Sequence, residues 1–176
     1  MRASPSRALL AALVALAALV ACGGGPTFDG SVYRDGKIAF HAGPLGEGWR
    51  KLEMPNTALA FRDDTHLASI LVHGRCNVPG DDAPLVALTN HLVIGTTERD
   101  VKLEETLPFD GREARHTVLA AKLDGVLQTF DLWVLKKDGC VYDLAYISAP
   151  QHYDAGAPAF ARFVQGFRTM ALGDGS

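Results

Sequence analysis

The sequence predicts an α+β domain built on an antiparallel sheet, and three observations lead to that prediction. Asp-Gly pairs recur at 110–111, 124–125 and 138–139, at a constant spacing of 14 residues. Apolar, strand-like runs lie between these pairs, and an apolar stripe with helical spacing follows them. Because Asp-Gly favours two-residue hairpin turns, the pairs predict a four-stranded meander over residues 101–109, 112–123, 126–137 and 140–148.

Two-residue turns also fix the register of the meander and so assign its side chains to two faces. Residue 109 is expected opposite 112, 123 opposite 126, and 137 opposite 140. The first strand is polar on one side, which suits a sheet edge, and the last two are apolar on both sides, which suits the centre. One face is then expected to carry Val101, Leu103, Leu107, Phe109, Val118, Leu127, Trp133, Leu135, Tyr142, Leu144 and Tyr146.

Shorter signals place the remaining elements. Strands are expected over residues 38–40, 58–61 and 67–73, and a Gly- and Pro-rich turn over residues 41–48 leads into Trp49. A helix is expected over residues 83–94, capped by Asp81 or Asp82. A final helix is expected to open at Asp154 or Gly156. Its apolar stripe is Phe160, Phe163, Val164, Phe167 and Met170, which we expect to pack on the sheet.

The N-terminus has the features of a bacterial lipoprotein signal. Arg2 and Arg7 precede an apolar segment over residues 8–21, which is too short to span a bilayer and ends in Leu19-Val20-Ala21-Cys22. Cleavage before Cys22 and acylation of its thiol are expected. The alternative is ordinary secretion after Ala15-Leu16-Ala17, a site that would cut into the apolar core. We therefore predict a signal peptide over residues 1–21 and an acylated Cys22 with a flexible tether over residues 22–32. A single domain is predicted over residues 33–172, and a frayed tail over residues 173–176.

Charge and cysteine content restrict the partners and the compartment. Beyond residue 21 the chain has 15 Lys and Arg against 20 Asp and Glu, a net charge of −5 without a basic tract. Nucleic acid is therefore not expected as a partner, and the membrane is expected to be contacted through the acyl chains on Cys22. Cys76 and Cys140 lie at predicted strand ends, and an exported pair of cysteines tends to form a disulfide. Two buried free thiols remain the alternative.

No catalytic, cofactor-binding or metal-binding pattern stands out. No serine lies in a nucleophile-elbow motif, and the six histidines do not form the paired spacing typical of zinc sites. A hydrolase that uses Cys76 with His73, or scattered histidines, is the less favoured alternative. Trp49 and Trp133 are the candidates for a binding surface, although Trp49 also suits a core anchor.

The order of elements, together with two sequence stretches, resembles a known superfamily. The stretches run from Phe40 to Trp49 and from Val134 to Leu144, and residues 153–167 add to the likeness. They resemble the superfamily of the photosystem II extrinsic protein PsbP, and most closely its DcrB-like bacterial lipoproteins. The resemblance implies an α/β/α sandwich around an antiparallel sheet and a protein that binds other proteins without an active site. It supplies no catalytic residues, and the Cys76/Cys140 pair is not part of its pattern.

Together these features predict a lipid-anchored protein of the bacterial cell envelope, held at the outer membrane and facing the periplasm. Its expected role is non-enzymatic, as a module that binds an envelope protein or stabilises a complex. The alternative is a carrier or chaperone for a lipid or a hydrophobic segment, which needs an open apolar groove near Trp49 or Trp133.

Overall fold

The computed structural model describes residues 25–172. The predicted signal peptide, Cys22 and the predicted tail over residues 173–176 lie outside the described residues. In chain order, the strands and helices are β1 Thr27–Phe28, β2 Val32–Arg34, β3 Ala39–His41, β4 Arg50–Leu52, β5 Leu59–Asp63, β6 Ala68–Cys76, α1 Leu85–Leu92, β7 Thr96–Phe109, β8 Arg112–Leu123, β9 Val126–Lys137, β10 Cys140–Ser148, α2 Tyr153–Gln165 and β11 Arg168–Met170.

Seven strands form one antiparallel sheet, in the order β4-β5-β6-β10-β9-β8-β7. The predicted meander is confirmed, because β7 to β10 are joined by the three Asp-Gly turns, whose six residues all have φ between 48° and 80°. The predicted register is also confirmed: 109 pairs with 112, 123 with 126, and 137 with 140. As expected, β7 is an edge strand and β10 lies at the centre, but β7 begins at Thr96, earlier than predicted.

Two register shifts in β7 correct the predicted face of one residue. The shifts lie between Thr97 and Asp100 and between Val101 and Leu103. Leu103 pairs with Val118 as expected, but Val101 pairs with Leu119, whose side chain belongs to the opposite face. Because an extra residue in an antiparallel strand reverses the alternation beyond it, Val101 lies on the other side of the sheet from the position predicted for it.

A helix covers each face of the large sheet, so the α/β/α arrangement implied by the resemblance is present. On one face, α2 and the small sheet close a core that includes Phe40, Ile70, Leu144, Tyr146 and Phe160. On the other face, α1 contributes Leu88 to a smaller core with Val134 and Val141. Both helices bury a single apolar side, as their sequence spacing predicts.

The structure corrects the predicted bounds and cap of α1. The helix covers residues 85–92 instead of 83–94, and the residue at its N-cap is Pro84, which makes no side-chain capping bond. Neither Asp81 nor Asp82 caps it. The Asp81 carboxylate instead accepts a hydrogen bond from the Arg75 guanidinium, so an ion pair to the sheet replaces the predicted cap.

A small second sheet was not predicted. It contains β1, β2, β3 and β11 in the order β1-β2-β3-β11. The first described strand, β1, therefore lies inside the range 22–32 assigned to the tether. Met170 belongs to β11 instead of the final helix. That helix ends where Gly166 crosses Gly43, and a Cβ at Gly166 would lie 2.4 Å from the Gly43 Cα.

The predicted disulfide is present between Cys76 and Cys140, with an S–S distance of 1.99 Å. The two residues are directly opposite one another on β6 and β10. Next to them, the Asn77 backbone N–H donates to the Gly139 carbonyl at 3.0 Å. The disulfide therefore braces the end of the two strands at the middle of the sheet.

Candidate functional site

Trp133 lies in an open cleft between the meander and α2, which we call the Trp133 cleft. Its volume is about 390 Å³. The meander contributes Leu107, Phe109, His116, Asp131 and Trp133, and the helix and the residues after it contribute Phe160, Val164, Gln165 and Arg168. A cleft of this size accepts a side chain or a short peptide segment of a partner.

The aromatic wall of the cleft is set by strand register. His116 on β8 and Trp133 on β9 are direct cross-strand partners, and their rings stack with centroids 4.2 Å apart. Phe109 also packs against the indole, with ring centroids 5.2 Å apart. Trp133 is half-buried, so it offers part of its ring to solvent while its position is fixed by its neighbours.

His116 is held between two carboxylates. Its Nδ1 lies 3.1 Å from Glu105 Oε1, and its Nε2 lies 2.9 Å from Asp131 Oδ1. The second oxygen of Asp131 accepts a hydrogen bond of 2.8 Å from the Tyr153 hydroxyl at the start of α2. The side chains of His116 and Asp131 are only 13% and 11% exposed. The network therefore ties the meander to α2 beneath the cleft.

The charges in this network act on the imidazole. Burial alone lowers the pKa of His116, but the hydrogen bonds and negative charges of Asp131 and Glu105 outweigh it and raise that pKa. Burial raises the pKa of the Tyr153 hydroxyl, and the charge of Asp131 raises it further. The arrangement thus favours an imidazolium that donates from both ring nitrogens, together with a phenol that stays protonated.

His116 is not placed to act as a general base. A histidine that acts as a general base needs one ring nitrogen free to accept a proton from a substrate. Both nitrogens of His116 are already bonded to carboxylates, and its ring face is covered by Trp133. The histidine is therefore held in the wall of the cleft by Glu105, Asp131 and the Trp133 ring.

Trp49, the other predicted candidate, lies in a separate cleft of about 280 Å³ with Pro44, Leu45, Phe61 and Phe163. Its ring meets Tyr146 edge to face, with centroids 6.3 Å apart. The structure therefore does not bring the two tryptophans together. Trp49 holds the turn over residues 43–48 against the core.

The hydrolase alternatives find no support in the positions of their residues. Cys76 is in the disulfide, and His73 Nδ1 lies 3.1 Å from the carbonyl oxygen of Asn56. Within residues 25–172, no group of three His, Cys, Asp or Glu side chains is placed to hold a metal ion. None of the helices described in that range has the length and apolar character needed to cross a bilayer.

Sequence reasoning did not single out His116, Asp131 or Tyr153. The neighbours of His116 could nevertheless have been predicted from the register that the turns fix. Counting back from the Asp-Gly pairs places residue 105 opposite 116 and residue 116 opposite 133, as observed. Tyr153 gave no such signal, because its contact with Asp131 depends on how α2 packs.

The two layers of helix, the meander and the small sheet define the PsbP-like fold, and comparison with solved structures confirms it. Cyanobacterial PsbP (CyanoP) from Synechocystis sp. PCC 6803 aligns with a TM-score of 0.54 and 16% identity, over 86% of this chain and 99% of CyanoP. LpqN of Mycobacterium tuberculosis, described as involved in cell envelope biogenesis, aligns with a TM-score of 0.57 and 13% identity, over 83% of this chain and 90% of LpqN. Identities this low establish the fold alone. No protein-family model and no curated protein sequence matches the chain.

Proposed function

We propose that this chain is a lipid-anchored, non-enzymatic protein of the bacterial cell envelope, at the outer membrane facing the periplasm, that binds a protein partner through the Trp133 cleft. The observation that carries the proposal is the stacking of Trp133 on His116, whose two ring nitrogens are both hydrogen-bonded to carboxylates. A half-buried tryptophan fixed by neighbours is the kind of anchor that dominates protein interfaces. The likeness in fold to LpqN, a protein involved in envelope biogenesis, supports the compartment by analogy.

The carrier alternative is less well supported by the same cleft. A lipid tail requires a continuous apolar lining, because every charged group it covers loses its contact with water. The Trp133 cleft has Asp110, His116, Asp131 and Arg168 in its walls. Such a lining fits a polypeptide segment that brings its own hydrogen-bonding groups.

Site-specific photocrosslinking tests the proposed interface. A photoreactive phenylalanine derivative is introduced at Gln165, which is exposed and lines the cleft, or at Ala155, which is exposed on the same helix outside it. In intact cells we expect a crosslinked product of one defined mass from position 165 and none from position 155. The product should disappear in Trp133→Ala, because removal of an interface anchor costs on the order of 2 kcal/mol or more. Equal products from both positions, or a product unchanged by Trp133→Ala, would contradict the proposal.

The proposed anchor needs its own test. We expect wild type to incorporate labelled palmitate and to fractionate with outer membranes, because two or three acyl chains give stable membrane attachment. Cys22→Ser should lose the label and leave the membrane fraction, whereas the Cys76→Ser/Cys140→Ser control should keep the label. If Cys22→Ser is labelled and fractionates like wild type, Cys22 is not the anchor.

A further inference from the structure

A second cleft lies on the opposite face of the large sheet, and we call it the α1 cleft. It is bounded by α1, by the segment over residues 78–83 and by β6, and its volume is about 650 Å³. Ala87, Leu88 and Leu92 of α1 form an apolar wall. Across from this wall lie three charged side chains of Arg75, Asp81 and Asp143.

Arg75 is shared by the two carboxylates. Its Nε donates to Asp81 Oδ1 at 2.8 Å, and its Nη1 donates to Asp143 Oδ2. Asp143 is on β10 at the centre of the sheet, and its side chain is only 3% exposed. The side chain of Asp81 is 12% exposed.

Each carboxylate has one oxygen left over. Asp143 Oδ1 and Asp81 Oδ2 are buried and have no hydrogen-bond partner among the described residues. A buried carboxylate oxygen without a donor is costly, and native proteins satisfy nearly all such groups. Two such oxygens lie beside one arginine, on side chains that line the same cleft, and no group of the described residues donates to them.

The charge of the cleft indicates what kind of donor fits. One arginine faces two aspartates, so with neutral histidines the lining has a formal charge of −1. Burial raises the pKa of Asp143, and the adjacent Arg75 guanidinium offsets this only in part. A bound cation would neutralise the remaining negative charge of the cleft, whereas a bound anion would be repelled by the two carboxylates.

We infer that the α1 cleft binds an organic cation, a primary ammonium or guanidinium group on a short apolar stem. The cationic group donates to Asp143 Oδ1 and Asp81 Oδ2, and the stem packs on Ala87, Leu88 and Leu92. The torsion at the end of an aspartate side chain is broad, so small rotations turn these oxygens toward a donor in the cleft. A lysine or arginine side chain of a protein and a free amine share this chemistry.

Titration of the intact, ¹⁵N-labelled protein in mild non-ionic detergent tests the inference. With butylammonium as the probe, we expect saturable amide shifts confined to residues 73–75, 78–92 and 141–145. Butanol, which has the same stem without the charge, should produce no saturable shifts there. N-acetyl-lysine methylamide represents a protein side chain and spermidine represents a free amine. The compound that binds more tightly identifies the source of the cation.

Two variants separate binding from folding. Asp143→Asn keeps the shape of the side chain but removes its charge, and it should weaken butylammonium binding by about tenfold or more. Ala87→Phe fills the cleft from the exposed surface of α1 and should abolish binding in a folded protein. Ala155→Phe, an equivalent change on α2, should bind like wild type. Absence of saturable shifts in wild type, equal shifts with butanol, or unchanged binding by Ala87→Phe would overturn the inference.

Discussion

Removal of the Cys76–Cys140 disulfide should cost this domain a large part of its stability. The bridge spans 64 residues, and the loop it closes contains α1, β7, β8 and β9. Restricting a loop of that length in the unfolded chain stabilises the folded state by about 4 kcal/mol at 25 °C. With an ordinary urea dependence of about 2 kcal/mol per molar, the midpoint of unfolding should fall by about 2 M in Cys76→Ala/Cys140→Ala.

The assay is urea unfolding followed by tryptophan fluorescence and far-UV circular dichroism, with reduced wild type as the matched control. Reduced wild type keeps both sulfur atoms in place, so it isolates the covalent link from the packing of the side chains. We expect it to lose nearly as much stability as the double variant. Thiol titration of the unfolded, unreduced protein should leave Cys76 and Cys140 unreacted. A midpoint shift below about 0.5 M, equivalent to about 1 kcal/mol, would refute the argument that the bridge acts by restricting the unfolded chain.

The remaining predictions concern the Trp133 cleft and the crossing of Gly43 with α2. Because Asp131 and Glu105 raise the pKa of His116, its stabilising effect should be complete below about pH 6.5 and lost as pH rises through the raised pKa. Urea unfolding from pH 6 to pH 9 should therefore show a steeper loss of stability with pH in wild type than in His116→Gln. The control is His91→Gln, which changes an exposed histidine and should lose stability as steeply as wild type if the slope is specific to His116. Gly43→Ala should destabilise by about 2 kcal/mol or more, since its Cβ would lie 2.0 Å from the Arg162 carbonyl oxygen. Gly36→Ala, which meets nothing within 4 Å, should be nearly neutral in thermal unfolding, and equal losses in the two variants would contradict this account.

The meander could be predicted from sequence because its determinants are local. An Asp-Gly pair in a two-residue turn fixes which residues face each other, and each strand then inherits its register from the turn. The same rule placed Cys140 at the start of β10, where it lies opposite Cys76. The prediction was wrong at Val101, because nothing in the polar sequence of β7 indicates which residue will be the extra one in a bulge.

The small sheet escaped prediction for the opposite reason. One of its strands, β3, was predicted over residues 38–40, but β1, β2 and β11 have two or three residues each, which is too short for an alternating pattern to be recognised. They form because distant segments meet: β11 follows α2 and pairs with β3 at the other end of the chain. The α1 cleft is equally non-local. Asp81 has the position of a helix cap in sequence, and only the packing of β6 beside it shows that Arg75 binds it instead.

The small sheet also changes what the proposed anchor would do. Residues 22–32 were expected to form a flexible tether, but Thr27 is already paired with Arg34 in the small sheet. Four residues lie between Cys22 and Thr27, and at full extension the five steps from Cys22 to Thr27 span no more than about 18 Å. An acylated Cys22 would thus hold the domain near the bilayer surface, which raises its effective concentration for partners that are themselves at the membrane. The Trp133 cleft and the α1 cleft lie on opposite faces of the large sheet, so a partner bound at one would leave the other accessible. The protein partner proposed for the Trp133 cleft and the cationic ligand proposed for the α1 cleft would therefore not exclude one another.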